Sequence, residues 1–408
     1  MTLAAFRVRS FRFQFPADLL TSWAFEMETL TLGWYVMTQT GSVLMLTVFG
    51  SLQFLGTLAA PGFGVLADRV GAGAMLCAMR ASYAALAAVL MALVLADVVT
   101  PAWVLVLATV GGLVRPNDIV MRNALIGDTI APAQLMGALA LSRVTQDSAR
   151  IGGALAGAGL SAALGLGLTY AVVSLVYAAS LTLTFGVSRR APLPDPARAP
   201  RASMPAASGW RDLLDGLKYA VTTPALLGLM LLAFVINFSA YPISSGLLPY
   251  AAERVYHVDA RGLGLLAASF ALGALAGSVT MVVTGGPQRP SRATLVHTAL
   301  WYALLLAFAH VERMGVGMAT LLAAGFVQSI GMISMSATLL ADAAAGFRAR
   351  VLGVRMLAVY GLPLGLLAAG LLIPRVGYRS ALTLYTTLGL GVTIVIGLVW
   401  RAALWRGR

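Results

Sequence analysis

Residues 381–400, ALTLYTTLGLGVTIVIGLVW, contain no charged side chain over twenty consecutive positions. A helix rises 1.5 Å per residue, so twenty apolar residues cover about 30 Å, which is the thickness of the hydrocarbon core of a bilayer. This stretch therefore predicts a membrane-spanning helix near the end of the chain.

The composition of the whole chain resembles that of this one stretch. Of the 408 residues, 59% are hydrophobic and 11% are charged, and the mean hydropathy is +0.87. An ordinary soluble domain has about 25% charged residues. A soluble protein with an unusually large core would still need polar faces on its helices, and many windows of this sequence have none. The composition therefore indicates a multi-pass membrane protein.

Apolar windows of about 20 residues predict twelve spanning helices, so the expected fold class is an all-α membrane protein with twelve transmembrane helices. The runs are continuously apolar and do not alternate with a period of two, which excludes a transmembrane β-barrel. The predicted spans lie near 17–39, 43–66, 73–95, 102–122, 137–160, 165–187, 222–246, 260–284, 292–311, 314–337, 350–373 and 379–401.

The basic residues predict the orientation, because cytoplasmic loops of membrane proteins are enriched in Lys and Arg. With both termini in the cytoplasm, only five of the 28 basic residues fall in outer loops: Arg254, Arg261, Arg313, Arg375 and Arg379. The net charge of +13 is spread between apolar runs and not along one stripe, so we expect no nucleic-acid partner.

A proline-rich segment followed by the amphipathic WRDLLDGLKYAV interrupts the apolar runs in the middle of the chain. We predict an N-terminal six-helix bundle over residues 1–190, a cytoplasmic linker with a surface helix over 191–221, and a C-terminal six-helix bundle over 222–408. The two halves also suggest a faint internal repeat.

Metal binding and enzymatic catalysis are poorly supported by the sequence. The single cysteine, Cys77, and three scattered histidines, His257, His297 and His310, do not have the spacing of a metal site. Neither a GxSxG elbow nor another nucleophile–base set is present. We therefore expect no metal, no cofactor and no enzymatic activity.

Several glycines are spaced four apart in predicted spans 5, 8 and 11: Gly153 and Gly157, Gly273 and Gly277, and Gly361 and Gly365. Small residues at this spacing let helix backbones approach closely in lipid. Plain helix packing accounts for most of them. The alternative is one repeated interface along which two bundles slide.

The segment from Gly64 to Gly71, GVLADRVG, resembles the signature loop G-x-x-x-D-R-x-G of the major facilitator superfamily. It also lies where that loop is expected, after predicted span 2. The sequence departs from the signature at Ala72 and Gly73, where the family usually has basic residues. The resemblance implies two six-helix bundles that rock around a central substrate site, with Gly64, Asp68, Arg69 and Gly71 in a cytoplasmic gate.

Further stretches resemble the drug- and siderophore-exporting branch of this superfamily, which includes enterobactin and macrolide exporters. They are LTLGWYV at 30–36, TGS at 40–42, RNALI at 122–126, ARIGGALAG at 149–157, LP at 248–249 and RVLG at 350–353. This resemblance implies export of an amphiphilic organic molecule across a bacterial inner membrane.

Two carboxylates, Glu26 and Glu28, lie inside predicted span 1. An ionisable group in a membrane helix costs a few kcal/mol, about 2.5–3.5 on insertion scales, so it needs a partner, a wet cavity or a function. Two positions apart on a helix means about 200° apart, so they lie on different faces. Either can exchange a proton during transport, or it can be an ion-paired structural acid. The sequence leaves open which of the two carries the proton.

Other polar residues inside predicted spans are candidates for the same cavity. Asp147 and Arg150 are three apart and are expected to form an internal salt bridge; a polar network reaching the gate is the alternative. The remaining candidates are Tyr35 in span 1, Arg115, Asn117 and Asp118 around the Pro116 bend of span 4, and Asn237 and Tyr241 in span 7.

The expected function is secondary active efflux of an amphiphilic drug or siderophore by a monomeric inner-membrane protein, with the proton gradient as its energy source. The expected partners are a small-molecule substrate and the lipid bilayer. A proton-coupled importer of a siderophore or metabolite is one alternative, and a lipid transporter or flippase is another.

Overall fold

The computed structural model of the chain describes residues 2–57, 66, 70–187, 215–344 and 347–405. The elements of these residues are helices. In chain order they are α1 (Arg9–Thr40), α2 (Val43–Leu52), α3 (Ala72–Leu95), α4 (Pro101–Val114), α5 (Asp118–Thr129), α6 (Pro132–Ser148), α7 (Ala154–Phe185), α8 (Pro224–Val235), α9 (Leu248–Tyr250), α10 (Ala260–Thr284), α11 (Pro290–His310), α12 (Met314–Asp342), α13 (Arg348–Leu357), α14 (Gly361–Val376), α15 (Tyr378–Val399) and α16 (Arg401–Leu404).

Tighter and wider turns interrupt these helices. The 3₁₀ turns are Thr2–Arg7, Leu55–Thr57, Arg115–Asn117 and Ala358–Tyr360, and the π turns are Ala149–Gly153, Ile236–Ala240, Pro242–Gly246 and Ala251–Val255. Short π segments inside membrane helices often mark functional positions.

In the described part of the chain, nine helical segments are long and apolar enough to cross a membrane. They are Ala72–Leu95, Pro101–Gly127, Gly137–Phe185, Pro224–Gly246, Ala260–Thr284, Pro290–His310, Met314–Asp342, Val354–Val376 and Tyr378–Val399. The prediction of a multi-pass all-α membrane protein is confirmed at this level.

The count of twelve spans and the cytoplasmic location of both termini stay predictions. The 32-residue α1 contains Asp18, Glu26 and Glu28 and is not among the nine segments. The apolar helix at Val43–Thr57 is shorter than a span, and residues 58–65 of the second predicted span lie outside the described residues. Two helical stretches, corresponding to predicted spans 5 and 6, meet at Gly165, where the backbone leaves helical geometry with a φ of 73° that favours glycine.

Contacts divide the chain into two compact units. The first comprises Met1–Thr40 and Leu52–Ala206, and the second comprises Gly41–Ser51 and Ala207–Arg408. Most of the predicted linker, 191–221, falls outside the described residues, although residues 215–222 are helical. The predicted domain boundaries therefore stay predictions.

Residues Gly41–Ser51, which include the start of predicted span 2, belong to the second unit. Ser51 Oγ donates a hydrogen bond of 3.1 Å to the carbonyl oxygen of Pro363 at the start of α14. Further along α14, Gly370 leaves room for α2, since a Cβ there would lie 3.1 Å from the Cα of Leu44. A small residue thus permits close approach of α2 and α14.

The glycines spaced four apart pack helices within one unit. A Cβ on Gly157 would lie 2.6 Å from the Cα of Met27 in α1, and one on Gly361 would lie 2.6 Å from the carbonyl oxygen of Phe234 in α8. Gly273 likewise meets the backbone of Leu322 in α12. Helix packing is therefore confirmed for these positions, and a sliding interface is not needed to explain them.

We expect Gly365→Ala to lower thermal stability, because the added Cβ would overlap the carbonyl oxygen of Phe238. Overpacking of this kind costs about 1–3 kcal/mol. The matched control is Gly391→Ala in α15, where an added Cβ meets no atom within 4 Å and the helix should be unchanged or slightly more stable. Thermal unfolding of both variants in detergent tests this, and equal melting temperatures would contradict it.

Candidate functional site

The most deeply buried charges of the first unit gather around Asp18 of α1. Asp18, Arg80 and Arg122 are each at most 2% exposed. Arg80 Nη2 forms an ion pair with Asp18 Oδ1. Arg122 Nη1 donates to the backbone carbonyl of Asp18 at 3.1 Å and to Ser22 Oγ at 2.7 Å, and its Nε pairs with Asp118. Two cations and two anions therefore balance inside this cluster.

This four-charge cluster joins α1, α3 and α5, and Arg80 Nη1 extends it to Thr184 of α7. Sequence reasoning placed Asp118 in a polar network but missed Arg80. The available signal was Arg80 itself, a charge inside the apolar run 73–95, because such a charge demands a partner. We interpret the cluster as a structural contact between these helices, because its charges are paired with one another and withdrawn from solvent.

Glu28 is also paired within the first unit. It forms an ion pair with Arg115 and accepts a 2.8 Å hydrogen bond from Tyr177 Oη of α7. The Arg115 guanidinium in turn lies over the ring of Phe25, 4.7 Å from its centre, where a cation–π interaction adds to the ion pair. The structure therefore gives Glu28 the ion-paired arrangement that the sequence offered as one alternative.

Glu26 has different surroundings, although it belongs to the same helix. It is partly buried, and no described residue forms a hydrogen bond or ion pair with its carboxylate. Its Cβ packs against Gly153, where an added Cβ would lie 3.0 Å away, so the π turn Ala149–Gly153 runs directly beside it. Arg150 and Arg115 are near enough to interact electrostatically with Glu26.

The predicted salt bridge between Asp147 and Arg150 does not form among the described residues, and that prediction is wrong. Asp147 instead pairs with Arg143, one turn earlier in α6, at 3.4 Å. The chain leaves α-helical geometry at Ala149, so the three-residue spacing no longer brings the two side chains together. Arg150 is exposed.

Tyr35 and Asn117 bind backbone groups and not the charged residues. Tyr35 Oη donates to the carbonyl oxygen of Val99 at 3.2 Å. Asn117 is 2% exposed, and its Nδ2 donates to the carbonyl oxygen of Gly56 at 3.0 Å. Both side chains hold neighbouring segments together.

The predicted gate is only partly visible. Gly64, Asp68 and Arg69 lie outside the described residues. Gly71 is described and immediately precedes α3 with φ 92°, a conformation that L side chains rarely adopt. This backbone requirement accounts for glycine at the last position of the motif.

In the second unit, polar groups meet beside the π turns after α8. Tyr241 Oη accepts a 2.8 Å hydrogen bond from Gln328 Nε2 of α12, and its ring packs edge-on against Trp301 with centroids 5.2 Å apart. Asn237 does not join them, because its Nδ2 donates to the carbonyl oxygen of Ala233 at 2.9 Å.

A membrane cation that sequence reasoning missed also belongs to this unit. Arg355, at the start of the spanning segment Val354–Val376, donates from Nη1 to Ser336 Oγ at 2.7 Å. The signal for it was available, as Arg355 is a charge between apolar runs. No group of three or more His, Cys, Asp or Glu side chains that could hold a metal ion occurs among the residues described.

The comparisons with known proteins agree with this architecture. The family model of the Major Facilitator Superfamily matches residues 15–360. A crystal structure of the peptide transporter POT is 13% identical with a TM-score of 0.70, covering 98% of this chain and 95% of that one. The human organic anion transporter MFSD10 (TETRAN) is 17% identical with a TM-score of 0.64, covering 95% and 99%.

A crystal structure of the nucleoside transporter NupG is 13% identical with a TM-score of 0.65, covering 96% of this chain and 99% of that one. At these identities the likeness concerns the fold. No curated protein matches the chain in sequence.

Proposed function

The chain belongs to the major facilitator superfamily, and we propose that it is a secondary active transporter that expels an amphiphilic organic molecule, a drug or siderophore, in exchange for protons. As a member of this family it is a multi-pass membrane protein and a transporter, not an enzyme. A bacterial inner membrane, a monomeric state and energy from the proton gradient are parts of the proposal.

The observation that carries the proposal is the contrast between Glu26 and the other membrane-embedded acids of the first unit. Asp18, Asp118 and Glu28 each have an arginine in direct ion-pair contact. Glu26 has no such contact among the described residues. A carboxylate in this position is free to change its protonation state without breaking a salt bridge.

Because Glu26 can bind and release a proton, its interactions can differ between the two conformational states. Proton-coupled transport requires such a difference. A conformational equilibrium is shifted only by a ligand that binds the two states unequally. Ionised Glu26 is favoured in the state where it faces Arg150 and Arg115 or a cationic group of the substrate. Neutral Glu26 is favoured in the state where these charges withdraw. Loading and releasing one proton therefore biases alternating access.

The proposal is tested with purified chain in proteoliposomes under an imposed pH gradient, screening cationic drugs and siderophores. We expect gradient-driven movement of at least one compound that stops when a protonophore collapses the gradient. Counterflow in vesicles of known orientation separates export from import. Accumulation of the compound that persists after the gradient is collapsed would contradict proton-coupled efflux. Translocation of labelled phospholipid alone would also contradict it and would favour a lipid transporter.

A further inference from the structure

The second unit contains a cavity of about 640 Å³ at one end of its spanning helices. Cavities that hold small ligands commonly have volumes of about 300–1,000 Å³. The segment Pro290–His310 ends just before this cavity in the chain, and Tyr378–Val399 begins in its lining. The cavity therefore lies where these helices leave the membrane. Its polar and charged lining residues are Arg254, His257, Glu312, Tyr378, Arg379 and Ser380.

Two arginines and one acid give this lining a net positive charge. Arg379 forms an ion pair with Glu312, and both side chains are more than half exposed. One such contact leaves other N–H donors on a guanidinium that carries five. Arg254 is half exposed, and its Nε lies 3.7 Å from Oε1 of Glu253, which is too long for a hydrogen bond. Both cations can therefore meet an anion that enters from solvent.

The start of α15 adds further donors to the same cavity. Tyr378, Arg379 and Ser380 are its first three residues. The first N–H groups of a helix have no acceptor within the helix, and the positive end of the helix dipole favours an anion. Gly377 precedes the helix and has no side chain to cap it, and the first turn contains no acid. These backbone donors supplement the two arginines.

A strained residue lies on another side of the cavity. His257 has a φ of 51°, in the left-handed region that is uncommon for residues other than glycine. Its neighbours are held by backbone hydrogen bonds of 2.9 Å, from Tyr256 N–H to the carbonyl of Ala251 and from Val258 N–H to that of Ala252. These two bonds fix His257 at the cavity. Strain of this kind clusters at binding and active sites.

The basic residues predicted for the outer loops also concentrate here. Of those five residues, Arg254 and Arg379 line the cavity, and Arg313 and Arg375 are one and two positions from residues that line it. Arginine is uncommon in outer loops, because Lys and Arg are enriched on the cytoplasmic side. A concentration of arginines at one cavity on the disfavoured side indicates a binding role.

We propose that this cavity binds a phosphate group, which Arg254 and Arg379 contact with their guanidinium groups and the first turn of α15 with its N–H groups. Phosphate has enough oxygens to meet two arginines and a helix start together, and arginine binds it through two parallel hydrogen bonds. The phosphate belongs either to a phospholipid head group or to a soluble organic phosphate. The site is separate from Glu26, and the inference does not depend on the proposed transport function.

The test measures binding to the full chain in detergent by isothermal titration calorimetry. The probes are two pairs that differ in a phosphate group: sn-glycerol 3-phosphate with glycerol, and dihexanoyl phosphatidic acid with dihexanoylglycerol. We expect at least one phosphate compound to bind about tenfold more tightly than its phosphate-free partner. Equal affinity for the two phosphate compounds identifies a soluble phosphate as sufficient. Binding of the phosphatidic acid alone identifies a lipid head group.

Three variants of the lining separate charge recognition from folding. Arg254→Gln and Arg379→Gln should each weaken phosphate binding by about tenfold, because each removes charged hydrogen-bond donors. Glu312→Gln removes the acid that competes for Arg379, so this variant should bind at least as tightly as wild type. The matched control is Arg143→Gln in α6, an exposed arginine that is likewise paired with an acid, and it should leave the affinity unchanged.

Equal affinity for the phosphate compounds and their phosphate-free partners overturns the inference. Phosphate binding that neither Arg254→Gln nor Arg379→Gln weakens also overturns it. A further contrary result is a loss of binding in Glu312→Gln as large as in the arginine variants, together with a lower melting temperature in all three. This result would mean that the three side chains maintain the fold of this region and do not recognise the charge of a ligand.

Discussion

Replacing Glu26 with glutamine should abolish transport driven by a pH gradient while leaving substrate exchange at equilibrium intact. Glutamine keeps the size and polarity of the side chain but cannot bind or release a proton, so alternating access continues without coupling. Glu26 has no ion pair among the described residues, and its replacement therefore leaves no cation unpaired at contact distance. The measurement is substrate accumulation under an imposed pH gradient beside counterflow at equal pH in proteoliposomes. We expect accumulation to fall to the level of protein-free vesicles and counterflow to stay within about twofold of wild type.

Glu28→Gln is the informative comparison. It leaves Arg115 without its carboxylate, so we expect a lower melting temperature and a parallel loss of accumulation and counterflow. Asp215→Asn removes an exposed acid from the helical residues 215–222 and should change neither. If Glu28→Gln lost accumulation with counterflow intact while Glu26→Gln kept both, the proton would belong to Glu28.

The membrane class of the fold could be predicted from the sequence because the apolar runs are long enough to decide it. Each of the nine spanning segments overlaps a predicted span. The sequence could not show that the start of span 2 belongs to the second unit, since this depends on how Ser51 and Gly370 fit α2 against α14. Apolar periodicity marks which residues leave water, but not which helix they meet.

From the sequence, the candidate site could be predicted only as a set of ionisable residues inside membrane-spanning helices. Glu26, Glu28 and Arg115 were identified in this way, but their pairing was not. Tyr177, which donates to Glu28, lies 149 positions away in the chain, and no local pattern encodes such a contact. The one pairing predicted from local spacing, between Asp147 and Arg150, failed because a π turn begins between the two residues.

The cluster around Asp18 should show strong energetic coupling between Asp18 and Arg80. Arg80→Met alone leaves the cluster with an excess negative charge, and Asp18→Asn alone leaves an excess positive charge. Each removes one partner from a buried pair, which costs about 3–5 kcal/mol. The double variant retains the ion pair between Arg122 and Asp118, which is neutral by itself, so its loss of stability should be well below the sum of the two.

Melting temperatures of the four chains in detergent measure this coupling, which we expect to reach about 2–3 kcal/mol, the upper end for residues in contact. The matched control is the same cycle on Arg379 and Glu312, an ion pair whose side chains are 55% and 71% exposed. Solvent screens such a pair, so its coupling should be about 0.2–1 kcal/mol. The losses of stability at Asp18 and Arg80 could instead be additive, with a coupling energy no larger than that of the exposed pair. This result would show that the two charges do not depend on each other. In that case the ion pair between Asp18 and Arg80 would not stabilise the packing of α1 against α3.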